Sequence, residues 1–416
     1  MSGTSMDGID AAMLKTNGDD YIEELGHFSM KYDAETKVLL KSAEYAIREC
    51  KGDMTKAAES YVDYLEKYLL SELRVPGTEI KSRIEALSSY LYSDSDCIIT
   101  LNKIIEHSTR LHSEVVKDFL YKIGKNTSEI EVLGYHGQTM YHQPDQKVSI
   151  IIGDGQALAN QTGIKVVNDF RGADVAAGGK GAPFAPLYHL AMAKRDGKIP
   201  VAVVNCGGIA NVTLVLDDNP LNLVGFDTGP GNGLIDRVVK QRTSGAESMD
   251  EGGKYGSRGK VDETAFKALW EKSILKDGKN YLLMSPPKAL DIGDLKLVDE
   301  LDSLSLEDAC RTLEAFTAHT VVNSLDSSKL PVHWILAGGG WNNPVIVSEL
   351  KSRLISLGIE EKNIQKASEA GWNNDALEAQ IFAYLAIRCL NNEPFSFPGT
   401  TGVPEPMSGG KIYNPS

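Results

Sequence analysis

Residues 199–216 read IPVAVVNCGGIANVTLVL: an apolar run of β-branched and small residues breaks at Gly207 and Gly208 and resumes as a second β-rich run. That pattern is two strands joined by a tight glycine turn. Near the start, SGTSMDGIDAAML at 2–14 follows a similar plan. Working outward, short apolar runs end in Gly-rich or Asn/Asp-rich turns in EVLGYHGQT (131–139), KVSIIIGDGQ (147–156), IKVVNDFRGAD (164–174) and HWILAGGGWNN (333–343), and several are followed by helical patterns. Strands that alternate with helices and mix with hairpins indicate an α/β architecture with mixed sheets. Two glycine hairpins in parallel positions suggest two lobes on one plan, an N-terminal lobe over 1–198 and a C-terminal lobe over 199–416. The boundary falls at RDGKIP (195–200), which could equally be an ordinary surface turn.

Residues 35–124 differ in texture. Val62, Leu65, Leu69, Leu73 and then Leu111, Val115, Phe119, Ile123 recur at helical spacing, and the interleaved charges read as solvated outer faces of a helical scaffold. The chain has 416 residues, 42% of them hydrophobic, which is the composition of a folded globular protein. Its 43 basic residues against 57 acidic ones give a net charge of −14. No basic stripe offers the phosphate neutralisation that nucleic-acid binding draws on. Neither a spanning apolar segment nor a signal segment is evident, so the expected compartment is the cytoplasm. Cys50, Cys97, Cys206, Cys310 and Cys389 are odd in number and form no CxxC pair, which fits reduced thiols.

The usual phosphate loop is missing; the nearest approach, GGKYGSRGKV (252–261), has the wrong spacing. Glycines in a tight turn offer another cradle, because several backbone N–H groups can converge on phosphate oxygens where no Cβ intervenes. Gly3, Thr4, Ser5, Asp7 and Gly8 form one such turn; Asn205, Gly207, Gly208 and Asn211 form another; Gly338, Gly339 and Gly340 form a third between a strand and a helix.

In order along the chain, SGTSMDGID, GYHGQTMYHQP, GDGQALANQTG, NDFRGADVAAGGKGAPFAPLYH, NCGGIANVT, FDTGPGNGLID, PPKALD, AGGGWNNP and GWNNDALEAQIFAYLA closely resemble the motifs of the anhydro-N-acetylmuramic acid kinase family, within the sugar kinase, Hsp70 and actin superfamily. The resemblance covers nearly the whole chain apart from the helical block around 45–100. It implies two lobes with ribonuclease H-like cores, closing on a cleft where ATP meets a 1,6-anhydro sugar. By that likeness, Gly3, Thr4, Ser5, Met6, Asp7, Gly8, Ile9 and Asp10 hold ATP phosphates together with Asn205, Gly207 and Gly208. Asp227, Gly229 and Gly231 lie near the phosphates, and Gly338, Gly339 and Gly340 lie against the adenosine. Asp7 and Glu378 match carboxylates placed near Mg²⁺; alone, Asp7 could be an Asx turn and Glu378 a solvated helix residue. Asp169 matches the catalytic base, and Arg171 supplies positive charge beside the sugar or phosphoryl group, unless it pairs with Asp174. His136 and His142 are either substrate-side groups or structural ones.

The implied reaction is hydrolytic opening of 1,6-anhydro-N-acetylmuramic acid with phosphorylation of O6. Alternatives are a kinase for another 1,6-anhydro sugar such as levoglucosan, and a catalytically silent nucleotide-binding protein of the actin or Hsp70 type. A homodimer is possible. Two departures from the family pattern stand out. An apolar strand ordinarily precedes the SGTSMDG turn, whereas this sequence opens at Met1, which suggests an upstream start or a truncated form. In PPKALDIGDL, Ile292 stands where relatives commonly carry Arg, leaving Lys288 and Asp291 as polar groups there.

Overall fold

A computed structural model describes residues 1–3, 6–92, 97–275, 277–290, 292–294 and 296–416. They divide into two compact units, one formed by Met1–Phe184 with Ala376–Ser416, the other by Ala185–Asp375.

In the first unit, β1 (Gly8–Thr16) and β2 (Ile22–Lys31) form an antiparallel hairpin with a bulge at Met13/Leu14. The helical block follows as α1 (Ala34–Glu49), α2 (Met54–Glu59), α3 (Tyr61–Ser71), α4 (Ile80–Tyr92) and α5 (Leu101–Lys122). Side chains of Asp33, Asp53 and Thr100 accept from otherwise orphaned N–H groups at the starts of α1, α2 and α5, which fixes where those helices begin. The block is more than a solvated face: Leu39, Leu40, Ile47, Leu65, Leu69 and Ile104 are fully buried in one core with Met6, Ile9, Met140 and Ile152. Next come β3 (Leu133–Gly134), the hairpin β4 (Gln138–Gln143) and β5 (Val148–Ile152), α6 (Gly155–Thr162), β6 (Val166–Asn168) and α7 (Gly172–Ala176). β3 and β6 pair in parallel.

The second unit opens with α8 (Ala185–Asp196). Its five-stranded sheet runs β11–β10–β7–β8–β9, built from β7 (Val201–Cys206), β8 (Ile209–Val215), β9 (Val224–Pro230), β10 (His333–Ala337) and β11 (Ile364–Lys366). The β7–β8–β9 meander is antiparallel, whereas β10 and β11 add in parallel, which is the strand order of a ribonuclease H-like core. Helices α9 (Gly233–Arg242), α10 (Glu263–Glu271), α11 (Leu306–Asn323) and α12 (Pro344–Ser356) complete it. The core joins Val204, Cys206, Phe226, Phe316, Trp334 and Trp341.

The chain then returns to the first unit as α13 (Leu377–Leu390) and β12 (Lys411–Tyr413). The contiguous division at 198/199 is therefore corrected in two places: α8 belongs with the second unit, and 376–416 with the first. The reason is pairing that sequence proximity hides, since β12 adds antiparallel to β6, with Lys411 opposite Asn168. Among the described residues no helix is long and apolar enough to cross a membrane.

Candidate active site

β6 ends at Asn168, whose amide donates to Tyr135 O at 2.9 Å, and the backbone then turns sharply. Asp169 sits at φ +56°, a left-handed conformation that costs most L residues roughly 1–2 kcal/mol and that Asp and Asn tolerate best. Two contacts hold it: Oδ1 accepts the Gly172 N–H at 3.1 Å, and Oδ2 meets Lys411 Nζ at 2.8 Å. The carboxylate remains about one-third exposed, so it is both oriented and reachable.

Arg171, two residues on, is half-buried. Its Nε and Nη2 donate to His136 Nε2 at 3.1 and 3.0 Å, Nη1 donates to Gly181 O at 2.5 Å, and the guanidinium lies over the Phe184 ring. Asp174 does not take it directly; instead Asp174 Oδ1 accepts the Gly181 N–H. Burial pulls the guanidinium down to about 10, opposed by the charges of Glu378 and Asp174, and it stays cationic at neutral pH. His136 accepts from Arg171 at Nε2 and so donates from Nδ1 to Gly137 O. Burial, with Arg171 adding to it, keeps its pKa well below the usual histidine range. It is therefore a neutral ring that orients Arg171. His142 bonds Ser149 Oγ through Nδ1.

The first glycine turn connects to this cluster. Ser2 Oγ donates to Gly137 O, Gln138 Nε2 donates to Gly3 O, and Met6 N–H closes back on Gly3 O. Met6 and Ile9 bury their side chains in the core, so only their backbone could serve a phosphate. Thr4 and Ser5 lie outside the described residues. Asp7 is exposed with Lys37 3.9 Å away, while Asp10 Oδ1 accepts from Ser29 Oγ. Gly8 opens β1, its N-terminal edge. Glu378, in the first turn of α13, touches solvent but is crowded by protein. That desolvation raises its pKa, Arg171 lowers it, and Asp10 raises it further. Asp10, Glu378 and Arg171 thus form one electrostatic neighbourhood. Among the described residues no group of three or more His, Cys, Asp or Glu side chains is placed to hold a metal; a Mg²⁺ that keeps most of its waters needs only one or two carboxylates.

The second unit gathers its own glycine elements. At the β7–β8 turn, Gly207 O and Gly208 O accept N–H groups of Gly231, Asn232 and Gly233 at the start of α9. Gly338, at φ +93°, brings its Cα against β7, where an added Cβ would lie 2.6 Å from Asn205 Oδ1. Its N–H donates to Asn374 Oδ1 at 2.7 Å. Gly340 packs against Cys206, whereas Gly339 faces open space. Gly229 rests on Thr320. Asp227 is committed inward: Oδ2 accepts the Leu290 N–H, and Tyr281 donates to its carbonyl. Burial pushes its carboxyl up to about 6. Lys288 is buried too, between the Tyr281 and Phe226 rings. Asp291 lies outside the described residues, and the backbone of Ile292 opens a short 3₁₀ turn.

Asp169, Arg171, Glu378, Asp10 and the described residues of the first turn, Gly3 and 6–8, thus come together in the first unit, and 205–208, 229–231 and 338–340 in the second. Lys411, Gln138 and Asn374 were missed. Gln138 and Asn374 stand inside motifs quoted for their neighbours, but Lys411 carries no local signal, because only the β12–β6 ladder brings it to Asp169.

The model of the family described as anhydro-N-acetylmuramic acid kinase matches residues 69–415. The chain is similar to the anhydro-N-acetylmuramic acid kinase of Zymomonas mobilis subsp. mobilis, 38% identical over 415 residues covering 99% of this chain and 98% of the relative. To that of Phenylobacterium zucineum it is 37% identical, covering 100% and 98%. Among solved structures it is similar to the activator of the 2-hydroxyisocaproyl-CoA dehydratase from Clostridium difficile with bound ADPNP, at 15% identity and a TM-score of 0.33 over 68% of this chain and 84% of that one. That last likeness is too distant to bear on fold or ligand. With a family match over most of its length and relatives aligned from end to end, the chain belongs to the anhydro-N-acetylmuramic acid kinase family.

Proposed function

We propose that the chain uses ATP and water to convert 1,6-anhydro-N-acetylmuramic acid into N-acetylmuramic acid 6-phosphate and ADP. The observation that carries this reading is Asp169, turned out of β6 in a left-handed conformation, oriented by the Gly172 N–H and Lys411, and still open to solvent. The bridging oxygen of a 1,6-anhydro sugar has no proton, so a base is useful only on water. Asp169 takes a proton from water, and the water oxygen bonds to C1. The C1–O6 bond breaks with its electron pair going to O6, and O6 attacks the γ-phosphorus of ATP as ADP leaves. General-base help of this kind is worth on the order of 10²–10⁴ in rate, and positioning supplies much of the rest.

Arg171, pinned by His136 and Gly181 O, provides a fixed positive charge for the developing negative oxygens. Backbone N–H groups of the 3–8 and 205–208 turns hold the phosphates, with 229–231 beside them and 338–340 at the adenosine. Asp7 and Glu378 would hold Mg²⁺, largely through water, which supplies charge neutralisation at the phosphates. Action in the cytoplasm and a homodimer belong to the same reading.

The test is ADP release with product masses read from the same tubes, using Mg-ATP with 1,6-anhydro-N-acetylmuramic acid, levoglucosan and N-acetylmuramic acid in turn. A product heavier by one phosphoryl group and one water, on the anhydromuramic sugar alone, is expected. Preference for levoglucosan would move the substrate assignment, and phosphorylation of plain N-acetylmuramic acid at equal rate would remove the need for Asp169 to act on water.

A further inference from the structure

Asp169 fixes more than the place of a base. In the proposed reaction the bond that breaks is C1–O6, and the bicyclic bridge covers the face of the sugar on which O6 stands. The water that Asp169 deprotonates therefore reaches C1 from the opposite face. In a 1,6-anhydro-β-D-gluco sugar the C2 substituent is trans to the bridge, so it stands on that same opposite face. The reacting geometry thus sets the C2 substituent beside the attacking water, and beside whatever flanks the Asp169 carboxylate. On the anhydromuramic sugar that substituent is an acetamido group; on levoglucosan it is a hydroxyl.

Lys411 is what flanks the carboxylate. Its Nζ lies 2.8 Å from Asp169 Oδ2, and its side chain is 67% exposed, so the ammonium stands at the open edge of the base. An ammonium carries three donors and no acceptor, and Asp169 takes one of them. The stem that carries it is held in place. β12 is laddered onto β6 with Lys411 opposite Asn168. Tyr413, on the same face of the strand, lies against Gly155, where an added Cβ would come 2.7 Å from its ring. Gln156 Nε2 donates to Asn414 O at 2.7 Å. Arg171, the other cation close to this turn, has its donors on His136 Nε2 and Gly181 O. The charge beside Oδ2 with donors to spare is thus that of Lys411.

We propose that Lys411 is a specificity-determining residue: its ammonium stays beside Asp169 and donates to the carbonyl oxygen of the sugar's 2-acetamido group, selecting acetamido sugars over their 2-hydroxyl counterparts. Resting on the reaction proposed above, this contact supplies a reason for its substrate. The acetamido oxygen stands three bonds from C2 and projects toward the ammonium, whereas a hydroxyl oxygen is two bonds nearer the ring and falls short. An exposed ion pair holds weakly, so Lys411 can turn one donor to the sugar without giving up Asp169.

The test compares 1,6-anhydro-N-acetylglucosamine with levoglucosan, which differ only at C2, with 1,6-anhydro-N-acetylmuramic acid beside them. Steady-state kinetics with Mg-ATP are read on the parent, Lys411→Met and Lys411→Arg, and thermal melting is read on the same samples. Where levoglucosan turns over too slowly to time, its inhibition constant is set against the KM of the acetamido sugars. In Lys411→Met, kcat/KM for both acetamido sugars should fall on the order of tenfold more than for levoglucosan, chiefly through KM. Lys411→Arg keeps the charge and the donors and should retain the preference. An equal loss on all three sugars would mean that Lys411 acts only by orienting Asp169, and would overturn the proposal. So would a loss confined to the anhydromuramic sugar, which would assign Lys411 to the lactyl carboxylate instead. A parent inactive on every sugar would remove the reaction itself, and this contact with it.

Discussion

Replacing Asp169 separates conformation from chemistry. Asparagine is nearly isosteric, tolerates φ +56° as aspartate does, and can still accept the Gly172 N–H through its amide oxygen. What it gives up is the pairing with Lys411, a largely exposed ion pair worth about 0.2–1 kcal/mol after solvent screening. Asp169→Asn should therefore cost no more than about 1 kcal/mol, a Tm change of about 3 °C or less. Alanine loses more: roughly 1–2 kcal/mol for the left-handed backbone and about 0.5–1.5 kcal/mol for the lost hydrogen bond. Asp169→Ala should thus melt about 5–10 °C below the parent. Yet both variants should lose turnover by the same factor, on the order of 10²–10⁴, because neither has a base. Differential scanning fluorimetry beside an ADP-release assay on the anhydromuramic sugar reads both quantities. Turnover of Asp169→Asn within a few-fold of the parent would refute the base assignment. An Asn variant as unstable as the Ala variant would refute the conformational argument.

His136→Leu removes the neutral acceptor that fixes Arg171, and kcat should fall on the order of 10²-fold with little change in the Kd for ATP, measured by calorimetry. Because burial keeps His136 neutral, the parent's kcat should show no acid limb from this ring between pH 5 and 8. In the second unit, burial and then the neighbouring Asp250 push the Glu314 carboxyl up to about 8. A raised carboxyl favours the folded state while protonated, and that stability is lost as pH rises from about 4.5 through 8. The Tm should accordingly decline over pH 6–8.5, and Glu314→Gln, which keeps an acceptor for Asn343 Nδ2, should flatten that decline. Gly338→Ala forces a Cβ toward Asn205 at a left-handed position and should weaken binding of a non-hydrolysable ATP analogue about tenfold, on a strain of roughly 1–2 kcal/mol.

Much of the fold was legible because it is written locally. The β7–β8 hairpin shows itself as two apolar runs around Gly207 and Gly208, and the helical block as leucines at helical spacing opened by Asp33, Asp53 and Thr100. Asp169 could be singled out because it ends an apolar strand inside a long motif. The inward commitment of Asp227 could not, because its partner Leu290 is 63 residues away and the glycines around it look like any phosphate turn. Lys411 is further removed still, since nothing in GGKIY announces that Lys411 will face β6. The boundary between the units failed for the same reason: hydropathy marks where an element begins and ends, but not which sheet will receive it.

The return of 376–416 to the first unit also sets an order of events during synthesis. The second unit is uninterrupted in sequence and can complete its sheet as soon as residue 375 has emerged from the ribosome. The first unit must wait, with β6 unpaired on the side that β12 will cover, until residues 411–413 are free. The lysine that pairs with Asp169 therefore arrives only after the whole second unit. A nascent chain stalled short of it can therefore hold a finished second unit while Asp169 still lacks its Lys411 contact.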